Sequence, residues 1–180
     1  MRCRSNATGA GRPWLVLLLL AALLGGCSGG YRLGTVGGKQ MHGLRTIWVP
    51  TVRNKTVIPQ LQSMVTNEII QAFDNDGSLR TVGPEEADAE LDVTLTDFTR
   101  MPIRPEVLDP LTTAEYRFVL IGSATLLNRK LGRKTLNGVG VSGSSFFFTQ
   151  INSPEAQRQV MPWVAQDFAK RVVVLVTEGW

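Results

Sequence analysis

The sequence predicts an α+β domain in which two helices pack on one face of a mostly antiparallel, four-stranded sheet. In two segments apolar residues recur every three to four positions, as in amphipathic helices, and in others they alternate with polar residues, as in half-buried strands. The predicted order of elements is β-α-β-β-β-α. A sheet with one apolar face and two helices with apolar stripes favour a two-layer sandwich.

An export leader accounts for residues 1–26. Three arginines, Arg2, Arg4 and Arg12, precede an apolar stretch over residues 14–24, and no acidic residue precedes it. This stretch is shorter than the roughly 20 residues that a membrane-spanning helix requires, which favours a cleaved signal over a permanent anchor. Without the leader, 16 basic residues face 15 acidic ones. Such a balance does not indicate a nucleic-acid binder.

The end of the predicted leader and the residue after it form the sequence LGGC at residues 24–27, which resembles the bacterial lipobox. The resemblance implies that a diacylglycerol is attached to the thiol of Cys27, that cleavage occurs before this residue, and that the new amino terminus is acylated. Cys3 leaves with the leader, so the mature chain would hold one cysteine and no internal disulfide. An incidental buried cysteine is the alternative, and the position of Cys27 after a segment of signal length argues against it.

Residues 27–43 are predicted to form a lipidated, glycine-rich tether, and residues 44–180 a single domain. A strand is expected over residues 44–50, followed by a loop in which the sequon at Asn54 is interpreted as a chance match. An amphipathic helix comes next, with Pro59 in its first turn and Gly77 at its end. Its apolar stripe consists of Leu61, Val65, Ile69, Ala72 and Phe73, with Met64 beside them.

A three-stranded meander is predicted after this helix. In its first strand Leu91, Val93 and Leu95 lie on the apolar face. Three prolines predict a loop over residues 99–114. The second strand places Tyr116, Phe118 and Leu120 on one face, and Arg117, Val119 and Ile121 on the other. A polar turn over residues 128–134 leads to the third strand, at about residues 136–149.

A second helix ends the chain, with Ser153 as its expected N-cap and Pro154 as its first residue. The valine-rich segment over residues 172–176 is also compatible with a strand. The apolar stripe continues through that segment, which favours a helix. The stripe consists of Ala156, Val160, Trp163, Val164, Phe168 and Leu175.

No group of residues in the sequence indicates catalysis. Residues 138–143 match G-x-G-x-x-G, but strand-like residues follow where a dinucleotide site needs a helix, so close packing of a neighbour against the glycines is the preferred interpretation. His42 is the only histidine and lies in the tether, which argues against a metal cluster or a Ser-His-Asp triad. We therefore expect no enzyme, no metal and no cofactor beyond the acyl chains on Cys27.

Basic residues cluster at the predicted turn between the second and third strands of the meander. Positive charge at a hairpin tip suits anionic phosphates or a membrane surface, and a solvated turn protected from aggregation is an equally open alternative. The cluster consists of Arg129, Lys130, Arg133 and Lys134. Arg100 and Arg104, in the proline-rich segment, are weaker candidates of the same kind.

Three stretches together resemble the lipopolysaccharide-assembly lipoproteins, the LptE-like family. The first is CSGGYRL at residues 27–33, where Ser28 also resembles the outer-membrane sorting class. The second is a pattern formed by Val49, Pro50, Asn54, Thr56, Pro59 and Leu61. The third is ADAEL at residues 87–91. The order of elements is also similar over essentially the whole mature chain.

The resemblance implies a non-enzymatic lipoprotein of the outer membrane, facing the periplasm, that assembles with and plugs a large β-barrel partner and contacts lipopolysaccharide. Under this hypothesis the six basic residues named above are the candidate contacts for lipopolysaccharide or anionic lipid. A lipid-anchored adaptor or pilotin for another envelope machine stays open, and so does an exported hydrolase. The long tether and the nearly balanced charge of the mature chain depart from the family pattern.

Overall fold

The computed structural model describes residue 41 and residues 43–105, 113–148 and 154–179. The predicted leader, Cys27, most of the predicted tether including His42, and the expected N-cap Ser153 lie outside the described residues. The described residues form eight elements, in the order β-β-α-β-β-β-β-α. The helices are α1 (Leu61–Asp76) and α2 (Pro154–Glu178). The strands are β1 (Thr46–Trp48), β2 (Arg53–Asn54), β3 (Arg80–Thr81), β4 (Ala89–Pro105), β5 (Thr113–Asn128) and β6 (Arg133–Phe148).

The sheet has six strands, so the prediction of four was wrong. Its order is β3-β1-β4-β5-β6, with β2 also paired to β4. The meander of β4, β5 and β6 is antiparallel as predicted, whereas β1 pairs in parallel with both β3 and β4, and β2 in parallel with β4. The missed strands β2 and β3 are two residues long, which is too short for alternation to be visible in a sequence.

The segment over residues 99–114, predicted as a loop, is mostly strand where the structure describes it. β4 extends to residue 105 and β5 begins at residue 113. Proline cannot donate a ladder hydrogen bond and is therefore tolerated at a sheet edge. Beyond Leu95, β4 pairs with β5 alone, so Pro102 lies on such an edge strand. Pro102 thus marks an edge of the sheet, and the loop prediction was wrong for residues 99–105 and 113–114, whereas Pro110 lies outside the described residues.

Helix α1 buries the stripe that its periodicity predicts. Leu61, Val65, Ile69 and Phe73 are at most 1% exposed. The helix begins at Leu61, after a cap residue with left-handed backbone, so Pro59 precedes the first turn instead of forming part of it. Gly77 ends the helix as predicted, with φ of 70° and its N–H donating to the carbonyl of Phe73. This conformation is one that glycine adopts without steric cost.

Helix α2 remains helical through its valine-rich end, as predicted. Val160, Val164 and Phe168 from the predicted stripe are buried, but Trp163 is 65% exposed, so its assignment to the core was wrong. Successive helical residues project about 100° apart, so Trp163 lies beside the core-facing stripe, in which Val164 takes the buried position. The apolar core between both helices and one face of the sheet is continuous.

Candidate functional site

The four predicted basic residues lie together at the turn between β5 and β6. The turn itself covers residues 129–132, and all four cationic residues are exposed. We call residues 129–134 the hairpin tip. Although the four charges are close in sequence, the contacts of their side chains divide them into two pairs.

Arg129 is bound to the fold on three sides. Its guanidinium forms an ion pair with Glu90 at 2.8 Å, donates to the carbonyl of Pro84, and lies 5.3 Å from the ring centroid of Trp48. The arginine therefore connects the hairpin tip to β1, β4 and the turn before β4. An exogenous anion would compete with these internal partners.

Lys130 holds the start of the domain to the hairpin tip. Its ammonium lies 2.9 Å from a carboxylate oxygen of Asp88 and donates to the carbonyl of Gly43 at 2.8 Å. The other Asp88 oxygen accepts the backbone N–H groups of Arg45 and Thr46. The hydrogen bond from Lys130 lowers the pKa of Asp88, the two backbone N–H groups act in the same direction, and burial opposes them. Asp88 is thus the centre of a clasp on the chain that leads into β1.

Arg133 and Lys134 differ from the other two basic residues of the hairpin tip. Both are exposed at the beginning of β6. Within the part of the chain that the structure describes, neither side chain forms an ion pair. Their charges are available to an external anion.

Arg100 and Arg104 lie towards the opposite end of the sheet. Arg100 is ten residues beyond Glu90 in β4, which corresponds to about 30 Å along the strand. Its guanidinium lies 4.7 Å from the ring centroid of Tyr116. Arg104 is 3.7 Å from the carboxylate of Glu115. The structure therefore does not bring these two arginines into one site with the hairpin tip.

The same end of the sheet contains a cation that the sequence did not single out. Arg117 of β5 lies 4.6 Å from the ring centroid of Phe146 of β6. Met101, Ile103 and Phe146 are between 44% and 46% exposed. We call residues 98–104, 115–119 and 144–147 the distal arm. The alternation along β5, which is visible in the sequence, places Arg117 on the face opposite Tyr116 and Phe118. This alternation could have identified Arg117 as a candidate cation on the sheet surface.

The glycine motif over residues 138–143 belongs to a strand and does not open a helix, which removes the architecture of a dinucleotide site. Gly143 faces the backbone of Phe168 in α2, so the prediction that the glycines permit close packing is confirmed there. A methyl group placed on Gly140 would meet no atom within 4 Å, so Gly140 does not share this role.

The asparagine–threonine pattern before α1 organises a turn. The side-chain oxygen of Asn54 accepts from the N–H and hydroxyl of Thr56, and its amide nitrogen donates to the carbonyl of Ile58. Thr66 in α1 accepts the N–H of Val52 through its hydroxyl. These contacts are local and structural, which explains the pattern without a ligand.

Two further observations concern the described residues only. The described residues contain no group of three His, Cys, Asp or Glu side chains arranged to hold a metal ion. In that same part of the chain, neither helix has the length and apolar character needed to cross a bilayer.

The fold and its contacts define a two-layer α+β domain with cationic side chains towards both ends of the sheet. A family model described as LptE, lipopolysaccharide-assembly, matches residues 44–173, from the start of the domain to the last turns of α2. The chain belongs to this family, and the expected resemblance is confirmed. The family consists of non-catalytic lipoprotein assembly factors, and the match supports a general role in lipopolysaccharide assembly.

Two solved structures are similar to the chain in fold. A candidate lipoprotein from Caulobacter crescentus has a TM-score of 0.50 and 12% identity, over 76% of this chain and 92% of its own. A hypothetical protein from Chlamydia trachomatis has a TM-score of 0.51 and 10% identity, over 74% of this chain and 95% of its own. At these identities the likeness concerns the fold alone. No curated protein sequence matches the chain.

Proposed function

We propose that the protein is an outer-membrane lipoprotein, facing the periplasm, that assembles with a large β-barrel partner and assists the delivery of lipopolysaccharide to the cell surface. The match of the family model to residues 44–173 is the observation that carries this proposal. Lipopolysaccharide assembly requires contact with an anionic amphiphile and with the machine that moves it. The domain offers surfaces suited to both.

The lipid anchor is assigned to Cys27. The family domain begins at residue 44, which leaves residues 1–43 for an export leader and a tether. Two or three acyl chains provide stable membrane attachment, whereas one provides only marginal binding.

Metabolic labelling with a fatty acid tests this assignment. Cys27→Ala should abolish both labelling and processing, whereas the matched variant Cys3→Ala should be labelled and processed like the parent chain. Labelling that is unchanged in Cys27→Ala would exclude the lipoprotein assignment. Loss of labelling in both variants would indicate a general export defect and would have to be resolved by locating the precursor in cell fractions.

We assign the contact with lipopolysaccharide to the distal arm. Arginine guanidinium groups bind phosphate through paired hydrogen bonds, and exposed apolar side chains suit acyl chains. On one face of the sheet the distal arm combines Arg117 with exposed Met101 and Phe146. Arg100 lies over Tyr116 on the other face, and Arg104 is paired with Glu115. At the hairpin tip, by contrast, Arg129 and Lys130 are engaged by Glu90 and Asp88. The distal arm therefore offers an anionic amphiphile both kinds of contact, with three exposed apolar side chains, Met101, Ile103 and Phe146, where the hairpin tip has one.

Co-purification of lipopolysaccharide measures this contact directly. The double variant Arg100→Ala, Arg117→Ala should lose most of the lipopolysaccharide that the parent chain retains. The charge-matched control Arg80→Ala, Lys170→Ala removes two exposed cations elsewhere and should retain it. Retention by the distal-arm variant, with loss after Arg133→Ala and Lys134→Ala, would move the contact to the hairpin tip.

The open face of the sheet is the surface that we assign to the barrel. Both helices pack against the opposite face, where Leu91, Val93 and Leu95 are buried, so the other face has no covering layer among the described residues. A sheet stiffened by long antiparallel pairing is suited to act as a rigid insert. We propose that the domain occupies and plugs the lumen of the barrel in this way.

Extraction with mild detergent at native expression level tests the partner. The chain should co-purify with a large outer-membrane barrel, identified by mass spectrometry. Recovery only as a free monomer would count heavily against the proposal. Recovery with a different envelope complex would support the alternative of an adaptor or pilotin.

A further inference from the structure

The hairpin tip presents an apolar side chain between cations. Leu131 is 56% exposed at the apex of the turn, with Arg133 and Lys134 two and three positions after it. A leucine surrounded by positive charge is a poor candidate for a folding core. This combination is characteristic of segments that bind at a lipid surface, where the apolar residue enters the headgroup layer and the cations meet phosphates.

The turn holds Leu131 in this exposed position. The side-chain oxygen of Asn128 accepts the N–H of Leu131 at 3.0 Å, and Asn128 itself is only 1% exposed. Gly132 has φ of 61°, which closes the turn in a conformation that favours glycine. The backbone N–H of Arg129 donates to the carbonyl of Asp88, which ties the base of the turn to the domain. The apex is therefore preorganised, and little ordering is required when it meets a surface.

The chain enters the domain beside this same turn. Lys130 donates to the carbonyl of Gly43, and Asp88 holds the backbone of Arg45 and Thr46. A segment of residues 28–43 connects this point to Cys27, and even fully extended it reaches no more than about 55 Å. An acylated Cys27 would thus keep the hairpin tip within about 55 Å of the bilayer that holds the acyl chains.

We propose that the hairpin tip docks on the anionic surface of the bilayer in which the amino terminus is anchored. Leu131 enters the boundary between headgroups and acyl chains, and Arg133 and Lys134 bind lipid phosphates. This inference rests on the lipid anchor of the proposed function. It adds a second contact with the membrane and orients the domain with the distal arm away from the anchoring leaflet.

The test uses the mature, acylated chain reconstituted in phosphatidylcholine vesicles with or without phosphatidylglycerol. Since acylation consumes the thiol of Cys27, the variant Leu131→Cys carries one site for an environment-sensitive fluorophore. Ile103→Cys, a similarly exposed position on the distal arm, is the matched control. With phosphatidylglycerol present, the label at residue 131 should shift to shorter wavelength and be quenched by spin-labelled lipids. The label at residue 103 should remain in a water-like environment.

Removing the two cations separates docking from simple proximity. Arg133→Ala together with Lys134→Ala should lower the ratio of quenched to unquenched label by about 25-fold, since each basic residue near an anionic surface contributes about fivefold. High salt should reduce the quenching of the parent chain in the same direction. Equal quenching at residues 131 and 103, or quenching that is independent of phosphatidylglycerol and of both cations, would overturn the inference.

The two proposals fail differently in this experiment. An unmodified Cys27, detected by the mass of the purified chain, refutes the lipid anchor. An acylated chain whose label at residue 131 stays in water refutes only the docking of the hairpin tip. Because the vesicles contain no lipopolysaccharide and no barrel, binding to either of those partners cannot produce the expected signal.

Discussion

Gly143 is where α2 comes closest to the sheet, and Gly143→Ala tests whether the glycine motif is needed for packing. A methyl group at this position would lie 2.5 Å from the Cα and 2.6 Å from the Cβ of Phe168, below the 3.0 Å that real Cβ contacts respect. The helix would have to retreat by about 1 Å to restore normal contact. Both obstructing groups belong to or adjoin the backbone, so a rotamer change of Phe168 cannot relieve them.

The cost of this retreat can be estimated by comparison with Gly140→Ala in the same strand. Overpacking typically costs about 1–3 kcal/mol, and an obstacle formed by backbone favours the upper end of that range. At Gly140 a methyl group meets no atom within 4 Å. Because alanine is favoured over glycine in a strand by roughly 0.5–1 kcal/mol, Gly140→Ala should be neutral or slightly stabilising.

Thermal and urea unfolding of the purified chain, followed by circular dichroism, measure the difference. At about 4 °C for each kcal/mol, Gly143→Ala should lower the Tm by about 10 °C, whereas Gly140→Ala should leave it unchanged or slightly higher. A Tm for Gly143→Ala equal to that of Gly140→Ala would refute the close approach of α2. Loss of stability after Gly140→Ala would contradict the open space at that position.

Three further outcomes test the contacts described above. Asp88→Asn should destabilise the chain by about 1–2 kcal/mol at neutral pH. The pKa of Asp88 is lowered in the fold, so the carboxylate stabilises the native state above its unfolded pKa of about 3.9. The difference in unfolding free energy between the parent chain and the variant should therefore disappear as the pH falls below that value. Urea titrations at several pH values measure it. Phe168→Ala should cost about 3–5 kcal/mol by chemical denaturation, whereas the exposed Trp163→Ala should change stability by less than about 0.5 kcal/mol, and equal effects would contradict the assigned face of α2. Asn54→Ala should cost about 1–2 kcal/mol through its lost turn contacts, with Lys55→Ala as the exposed neighbouring control, and a shift in the urea midpoint common to both would contradict this role.

Elements with a long apolar pattern were predictable from the sequence, and elements defined by pairing were not. The stripe of α1 and the alternation at Leu91, Val93 and Leu95 each extend over several residues, so the period identifies the buried face. β2 and β3 have two residues each and exist because β4 and β1 lie beside them. Pro102 was interpreted as a loop signal because proline is rare inside sheets. An edge strand is hydrogen-bonded to a neighbour on one side only, so it tolerates a residue without a backbone N–H.

Residue type alone was also insufficient to assign roles within the basic cluster. Arg129 and Lys130 pair with Glu90 and Asp88, which are about forty positions away in sequence and are brought close by the pairing of β4 with β5. The sequence therefore showed that positive charge is present but could not show which charges the fold neutralises. Arg117 was overlooked for the opposite reason, because an isolated arginine in a strand has no neighbouring charge to draw attention to it.

The Asp88 clasp explains why an acidic turn and a basic turn occur together in this chain. Asp88 accepts two backbone N–H groups at the start of β1 and an ammonium from the hairpin tip. Lys130 and Arg129 are therefore needed to hold the beginning of the domain, whereas Arg133 and Lys134, only a few positions later, have no such partner among the described residues. Under the proposed lipid anchor, a pull on the amino-terminal segment would reach this clasp at the start of the domain. One half of the basic cluster thus fixes the start of the domain, and the other half is free for the membrane contact that we propose.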